Sequence, residues 1–247
     1  MFFTVIWALG FFILMLLTIP FLLISYLLRL VAGNKVADRF VHWVTVVWGR
    51  LAILSTGSKV KVESRENFSS APNLCLICNH QSMFDIPLLT GWTPRLLGFV
   101  AKSELKKIPL LNIWIAAIHS VFLDRSSPKA AVASFQKAVE HIKKGRAIVI
   151  FPEGTRSKDG SVSEFKTGSL KLATQAQAVI QPVTIQGTRN MFEAEKKIKK
   201  ANLKLIIHPP ILPQDEVYRD KEKLASLLYE IISPEINFIA NANAQNQ

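Results

Sequence analysis

Residues Phe2 to Leu28 carry no charged side chain. The run is rich in Phe, Leu and Ile and exceeds the roughly 20 residues that cross a hydrocarbon core. A chain that starts this way must give that segment to a membrane or cover it with protein. A cleavable signal peptide does not fit. No Lys or Arg precedes the run, it is too long for an h-region, and no A-x-A site follows. Pro20 lies inside it and predicts a kink. Trp7 and Tyr26 suit membrane interfaces. Arg29, Lys35, Arg39 and Arg50 follow, which assigns that end to the cytoplasmic side by the positive-inside rule.

Gly33-Asn34 predicts the end of the first helix, and Lys35 to Ser55 reads as a second. In the second, Asp38, His42, Thr45 and Gly49 form one polar stripe among Val41, Trp43, Val44, Val47, Trp48 and Leu51. That pattern suits a helix in the membrane interface or cemented to a neighbouring domain. Length favours a spanning first helix. Pro20, Gly33 and the amphipathic partner favour a kinked pair that enters one leaflet and returns, which is the topology expected here.

Beyond residue 57 the pattern changes. Seven runs read as strands: Lys59–Val62, Leu74–Cys78, Leu96–Ala101, Val121–Leu123, Ala147–Phe151, Ile180–Ile185 and Leu203–Ile207. Helical stretches fall between most of them. Pro128 to Lys144 is the clearest, with proline in its first turn and Gly145 as its stop. Thr167–Gln177 and Lys221–Ile239 are two more. The alternation predicts an α/β fold: a central, mostly parallel or mixed sheet of about seven strands flanked by helices, plus an N-terminal two-helix membrane-anchoring motif. The expected divisions are a membrane-associated segment over 1–56, a catalytic domain over 57–240 and a frayed polar tail over 241–247.

The two cysteines, Cys75 and Cys78, lie in one apolar run with no second ligand pair, so they read as reduced core residues on opposite faces of a strand. The next residues are Asn79-His80-Gln81-Ser82-Met83-Phe84-Asp85. A strand, a polar turn and a helix opening near Ser82 or Met83 are expected. Five residues is not a same-face helical spacing. If the backbone turns between them, Asp85 can return beneath His80, fix its tautomer and stabilise its imidazolium. With no obvious nucleophile nearby, the pair suits activating a hydroxyl that arrives with the substrate.

Phe151-Pro152-Glu153-Gly154-Thr155-Arg156-Ser157 follows another buried run. Gly154 permits close backbone approach, Thr155 and Ser157 donate hydrogen bonds, and Arg156 offers a fork that recognises phosphate. Pro and Gly alone also mark ordinary turns. Two polar motifs at strand ends are more telling, because ligands in α/β folds collect there.

These blocks resemble the glycerolipid acyltransferase family. Asn79–Asp85 is similar to its NHxSxxD block. Lys102-Ser103-Glu104-Leu105 with Val121–Arg125 is similar to the second, Phe151–Ser157 to FPEGTRS, and Val179–Val183 to the fourth. Phe165-Lys166-Thr167-Gly168 matches a lesser FKxG element. Within the family, the bacterial 1-acylglycerol-3-phosphate acyltransferases are the most similar. One departure is His119-Ser120, which stands where a glycine often precedes the second block's last segment.

The resemblance implies that His80 deprotonates the sn-2 hydroxyl of lysophosphatidic acid. The oxygen then attacks the thioester of acyl-CoA or acyl carrier protein, giving phosphatidic acid. Asp85 orients His80. Arg125 and Arg156 hold the acceptor phosphate, with Lys102 a weaker candidate. Backbone amides near Gly154 and Thr155 face the oxyanion. Glu153 bonds backbone or a substrate hydroxyl, since a bare carboxylate would repel phosphate. No metal or other cofactor is required, because a thioester is already activated.

Alternatives are glycerol 3-phosphate or another lysophospholipid as acceptor, or a non-catalytic protein that binds anionic lipid. Net charge is +12, so acidic partners are expected. Anionic membrane lipids fit that charge. Nucleic acid does not, for want of a recognisable binding module. The expected location is the inner membrane, with the catalytic domain on the cytoplasmic face. His119 and His141 read as structural, because no carboxylate stands at matching spacing. Glu193 to Lys200 reads as a solvated face, or as a contact with anionic headgroups or an acidic carrier protein.

Overall fold

A computed structural model of the chain describes residues 1–234 and 236. All seven expected strands form: β1 (Lys59–Glu63), β2 (Leu74–Cys78), β3 (Leu97–Lys102), β4 (Val121–Leu123), β5 (Ala147–Ile150), β6 (Val179–Gln186) and β7 (Asn202–Ile207). They build one mixed sheet in the order β1-β7-β6-β2-β5-β3-β4. Strands β6, β2, β5, β3 and β4 run parallel, whereas β7 is antiparallel to β6 and carries β1 with it. The central strands β2, β5 and β6 are buried along their whole length. That accounts for the unbroken apolar runs of β2 and β5, since helices cover both faces, while β6 also buries Gln181, Thr184 and Gln186.

The uncharged run is helical in two segments, α1 (Phe2–Leu17) and α2 (Ile19–Val31). They join at Thr18, just before Pro20, whose missing N–H is tolerated in the first turn of α2. By length and composition this stretch is apolar enough to cross a membrane. After Gly33, at φ 83°, α3 (Asn34–Leu54) runs back along it. Ring contacts Phe11–Trp48, Phe21–Phe40 and Phe21–Trp43 and the ion pair Arg29–Asp38 (3.0 Å) mark the antiparallel course.

Helix α3 is cemented to the domain. Thr45 and Gly49 of its polar stripe are buried with Val41, Val44 and Ile53, while Trp43, Val47, Leu51 and Leu54 face outward. Gly49 permits close packing on α4 (Asp85–Trp92), because a Cβ there would meet Pro87 O at 2.5 Å. Together with α4 and α5 (Leu111–Ala117), α3 covers one face of the sheet. The other face carries α6 (Pro128–Lys143), α7 (Thr167–Gln175) and α8 (Lys221–Ile232). Cys78 belongs to the first core and Cys75 to the second, as strand alternation requires.

Three differences from the expected elements have local causes. Helix α5 was not foreseen, since seven residues are too few for a periodic signal. Helix α8 ends at Ile232, and Ser233 forms a bend before Pro234, which cannot donate to the ladder; the rest of the expected helix, over 237–239, lies outside the described residues. The expected tail over 241–247 lies outside the described residues. Finally, α4 opens at Asp85 and not at Ser82 or Met83, for a reason found in the site itself.

Candidate active site

The C-terminal ends of β2 and β5 lie side by side, with Ile77 in register with Ile150. His80 and the Phe151–Ser157 loop leave from these ends. The chain between His80 and Asp85 wraps around the Asp85 carboxylate. Oδ2 accepts the backbone N–H of Gln81 (2.8 Å) and of Ser82 (2.9 Å). These bonds hold the chain ahead of α4 in a turn around the carboxylate. The same turn brings Oδ2 to 2.7 Å from His80 Nδ1. Asp85 Oδ1 accepts the hydroxyl of Thr188, at 2.6 Å, from the segment after β6. Asp85 is 0% exposed. A buried carboxylate is tolerable only with such a set of donors.

The His80 side chain keeps 20% of its surface exposed. With the carboxylate at Nδ1, the stabilised tautomer carries its proton there and leaves Nε2 as an acceptor. The ring stacks on Phe151, centroids 4.0 Å apart at 16°. Backbone bonds fix the rest of the residue. His80 N–H donates to Glu153 Oε1 (2.7 Å), and His80 O accepts Ser157 N–H (2.8 Å). Glu153 Oε2 accepts Ser163 N–H at 3.0 Å. Burial raises the carboxyl's proton affinity, and its two backbone bonds oppose that effect. Glu153 thus holds backbone, one of the two roles expected for it.

Other expected site residues fall at varying distances from this dyad. Gly154 adopts φ +75°, and Lys166 folds its ammonium over it, so that a Cβ on Gly154 would meet Nζ at 3.1 Å. The Gly154 N–H closes the turn on Phe151 O at 3.0 Å. Thr155 is exposed. Arg156 is half exposed and pairs with Glu193 at 2.8 Å. Lys102 ends β3 in register with Leu123 of β4, and Arg125 follows two residues later. Both are exposed at the same end of the sheet as His80, toward its edge.

Residues that sequence reasoning missed act at long range. Thr188 and Glu193 come from the segment after β6. Glu193, read as part of a solvated face, has a side chain only 9% exposed and bonds Ser82 Oγ, Met83 N (2.9 Å) and Arg156. Only the spacing of Thr188 and Glu193 after the fourth block could have signalled them. His119 does have a carboxylate partner: its Nε2 lies 2.9 Å from Asp38 in α3, and its carbonyl bonds His141 Nδ1 at 2.7 Å. It adopts φ +62°, the left-handed conformation that favours glycine, so the departure from the family pattern is absorbed by these partners. Among the described residues no cluster of three or more His, Cys, Asp or Glu stands at metal-binding distance.

Comparison with known proteins gives this site a family. The acyltransferase family profile matches residues 59–186, so the chain belongs to that family. A 1-acyl-sn-glycerol-3-phosphate acyltransferase of Borreliella burgdorferi is 32% identical over 77% of this chain and 76% of its own. The chloroplastic enzyme LPAT1 of Arabidopsis thaliana is 31% identical over 70% of this chain, which spans about half (49%) of that longer relative. The crystal structure of the 1-acyl-sn-glycerophosphate acyltransferase PlsC from Thermotoga maritima superposes with a TM-score of 0.81. The two are 31% identical, with 96% of this chain and 95% of that one covered.

Asp85→Asn tests the charge separately from the geometry. An asparagine can keep its carbonyl on the Gln81 and Ser82 amides and turn its NH2 to Thr188, but it lacks the charge that stabilises an imidazolium. The folded variant, checked by circular dichroism, is expected to lose roughly 10²–10⁴-fold in turnover. Turnover within a few-fold of the parent would contradict the dyad.

Proposed function

We propose that this protein transfers a fatty acyl chain from acyl-CoA or acyl carrier protein to the sn-2 hydroxyl of 1-acylglycerol 3-phosphate, giving phosphatidic acid. The observation that carries the reading is His80 paired with buried Asp85 at the end of a central strand, beside a loop with a half-exposed arginine. Its Nε2 accepts the proton of the acceptor hydroxyl as the oxygen attacks the thioester carbonyl. The tetrahedral adduct collapses by breaking the carbon–sulfur bond, and the proton passes to the leaving thiolate. Asp85 stabilises the imidazolium between these steps. The relatives' names support this acceptor.

Arg156 takes the acceptor phosphate as a charged fork. Lys102 and Arg125 stand two and three strand positions from β2, roughly 10–15 Å at the usual spacing, and serve the phosphate end or the donor from the rim. Lys166 adds positive charge beside Gly154.

The residues at 1–56 form the membrane-associated part and the rest the catalytic domain, on the cytoplasmic face of the inner membrane. The helices enter one leaflet and return. Support comes from both ends of α1. Ile198 N–H donates to Thr4 Oγ1 at 3.0 Å, and Trp114 Nε1 donates to Thr18 Oγ1 at 2.8 Å. Both partners belong to the catalytic part, so α1 lies along it and does not lead away from it. Exposed Phe2, Leu9, Phe12, Ile13 and Leu17 supply the lipid-facing surface.

Two measurements test these readings. Purified protein with lysophosphatidic acid and a panel of acyl-CoA and acyl carrier protein donors is expected to form phosphatidic acid; no product from any donor would overturn the assignment. In that assay Arg156→Ala is expected to raise the acceptor KM by roughly 10²-fold with the donor KM unchanged. A rise confined to the donor would move Arg156 to the thioester's carrier. For topology, Phe2→Cys, with Cys75 and Cys78 replaced, is expected to resist an impermeant thiol reagent from the extracytoplasmic side. Labelling from that side alone would mean that the helix spans.

A further inference from the structure

Glu193 is a carboxylate in an unexpected place. It lies beside the arginine that is proposed to bind a phosphate, where its charge opposes that binding. It is nonetheless withdrawn from solvent and fully engaged. Oε1 accepts Arg156 Nη1 at 2.8 Å and Met83 N–H at 2.9 Å, and Oε2 accepts the Ser82 hydroxyl. Ser82 Oγ in turn accepts the N–H of Phe84 at 3.0 Å. One carboxylate thus joins the turn that carries His80 and Asp85 to the side chain of Arg156.

The backbone makes the same connection by another route. Ser157, next to Arg156, donates its N–H to His80 O, and Glu153 receives the N–H of His80. The main chain of Arg156 is therefore fixed relative to His80 by backbone bonds. Its long side chain, with several rotatable bonds, is held among the described residues by Glu193. The fork has five N–H donors, and the side chain remains 47% exposed with one nitrogen turned to Glu193. That bond ties the remaining donors to the turn that carries the imidazole.

We infer that Glu193 is a positioning residue that sets the distance between the phosphate-binding fork and the catalytic base, and so selects acceptors by the spacing of phosphate and hydroxyl. The inference rests on the proposed phosphate role of Arg156. An acceptor whose hydroxyl is one carbon further from its phosphate then presents its oxygen out of line with Nε2. Misplacement of about 1 Å is enough to cost on the order of 10²-fold in rate. The carboxylate lowers the intrinsic pull of Arg156 on phosphate and in exchange holds it in register. Its loss must therefore act on kcat and on discrimination, in the opposite sense to loss of the arginine, which acts on acceptor KM.

The test compares the full-length protein with Glu193→Gln and Glu193→Asp, in mixed micelles. The acceptors are lysophosphatidic acid and a homologue with one extra methylene between phosphate and hydroxyl carbon. Gln keeps the shape and removes the charge. Asp keeps the charge and is too short to reach both Arg156 and Ser82, so it serves if Gln fails to fold. The expected result is a kcat for lysophosphatidic acid lower by about 10- to 100-fold, an acceptor KM unchanged or lower, and an unchanged donor KM. Discrimination against the homologue, read as the ratio of kcat/KM values, is expected to fall about tenfold. Unchanged discrimination in both folded variants overturns the proposal, as does an acceptor KM that rises in step with the loss of rate. Arg156→Ala in the same assay separates the two readings. If it raises the acceptor KM while the Glu193 variants keep full discrimination, the positioning proposal alone fails. If it leaves the acceptor KM unchanged, the phosphate reading fails and takes the inference with it.

Discussion

The Asp85 carboxylate is the interaction on which the rest of the site depends. It is fully buried, and burial of an ionised carboxylate is costly unless its oxygens are well bonded. Four donors meet it: His80 Nδ1, the Gln81 and Ser82 amides and the Thr188 hydroxyl. The amide bonds fold the intervening chain into a turn. That turn makes a five-residue spacing, unsuited to a helix face, into a contact. The imidazole bond selects the tautomer with a free Nε2. The Thr188 bond ties β2's loop to the segment after β6. A single group thus controls local backbone, protonation and the packing of two distant segments.

Much of this was legible in the chain. Strands β2 and β5 were visible because they are covered on both faces and read as unbroken apolar runs. The pair His80–Asp85 was visible because both partners lie in one short block, and the need for a turn between them followed from helix geometry alone. What escaped reading came from far away. Thr188 is 103 residues from Asp85, and Glu193 is 111 residues from Ser82. Glu193 looked solvated because the lysines around it are, and only the tertiary fold turns its carboxylate inward. The partner of His119 escaped in the same way: Asp38 is 81 residues earlier, on α3. The closure bond of the Gly154 amide was not legible, because residue type does not tell a turn's own bond from a free donor.

The apolar N-terminal helices are part of the same construction. Trp7 in α1 packs on Phe84, with ring centroids 5.4 Å apart, and donates its indole N–H to Ser55 at the end of α3 at 2.9 Å. Phe84 is the residue before Asp85. Gly49 of α3 meets the backbone of α4, the helix that Asp85 begins. The apolar N-terminal segment therefore packs directly against the turn that carries His80 and Asp85. In the proposed reaction the acceptor and product are amphiphiles and the thioester's carrier is polar, and a site braced by apolar helices suits that combination.

The account stands on His80 acting as the base, with its backbone and its orientation supplied by Glu153 and Asp85. The most direct test is single-turnover acyl transfer to lysophosphatidic acid by His80→Ala, with folding checked by circular dichroism and membrane association by flotation. A folded, membrane-bound variant whose rate has fallen by roughly 10²–10⁴-fold is the predicted result. Near-parental transfer by that same folded variant would contradict the mechanism.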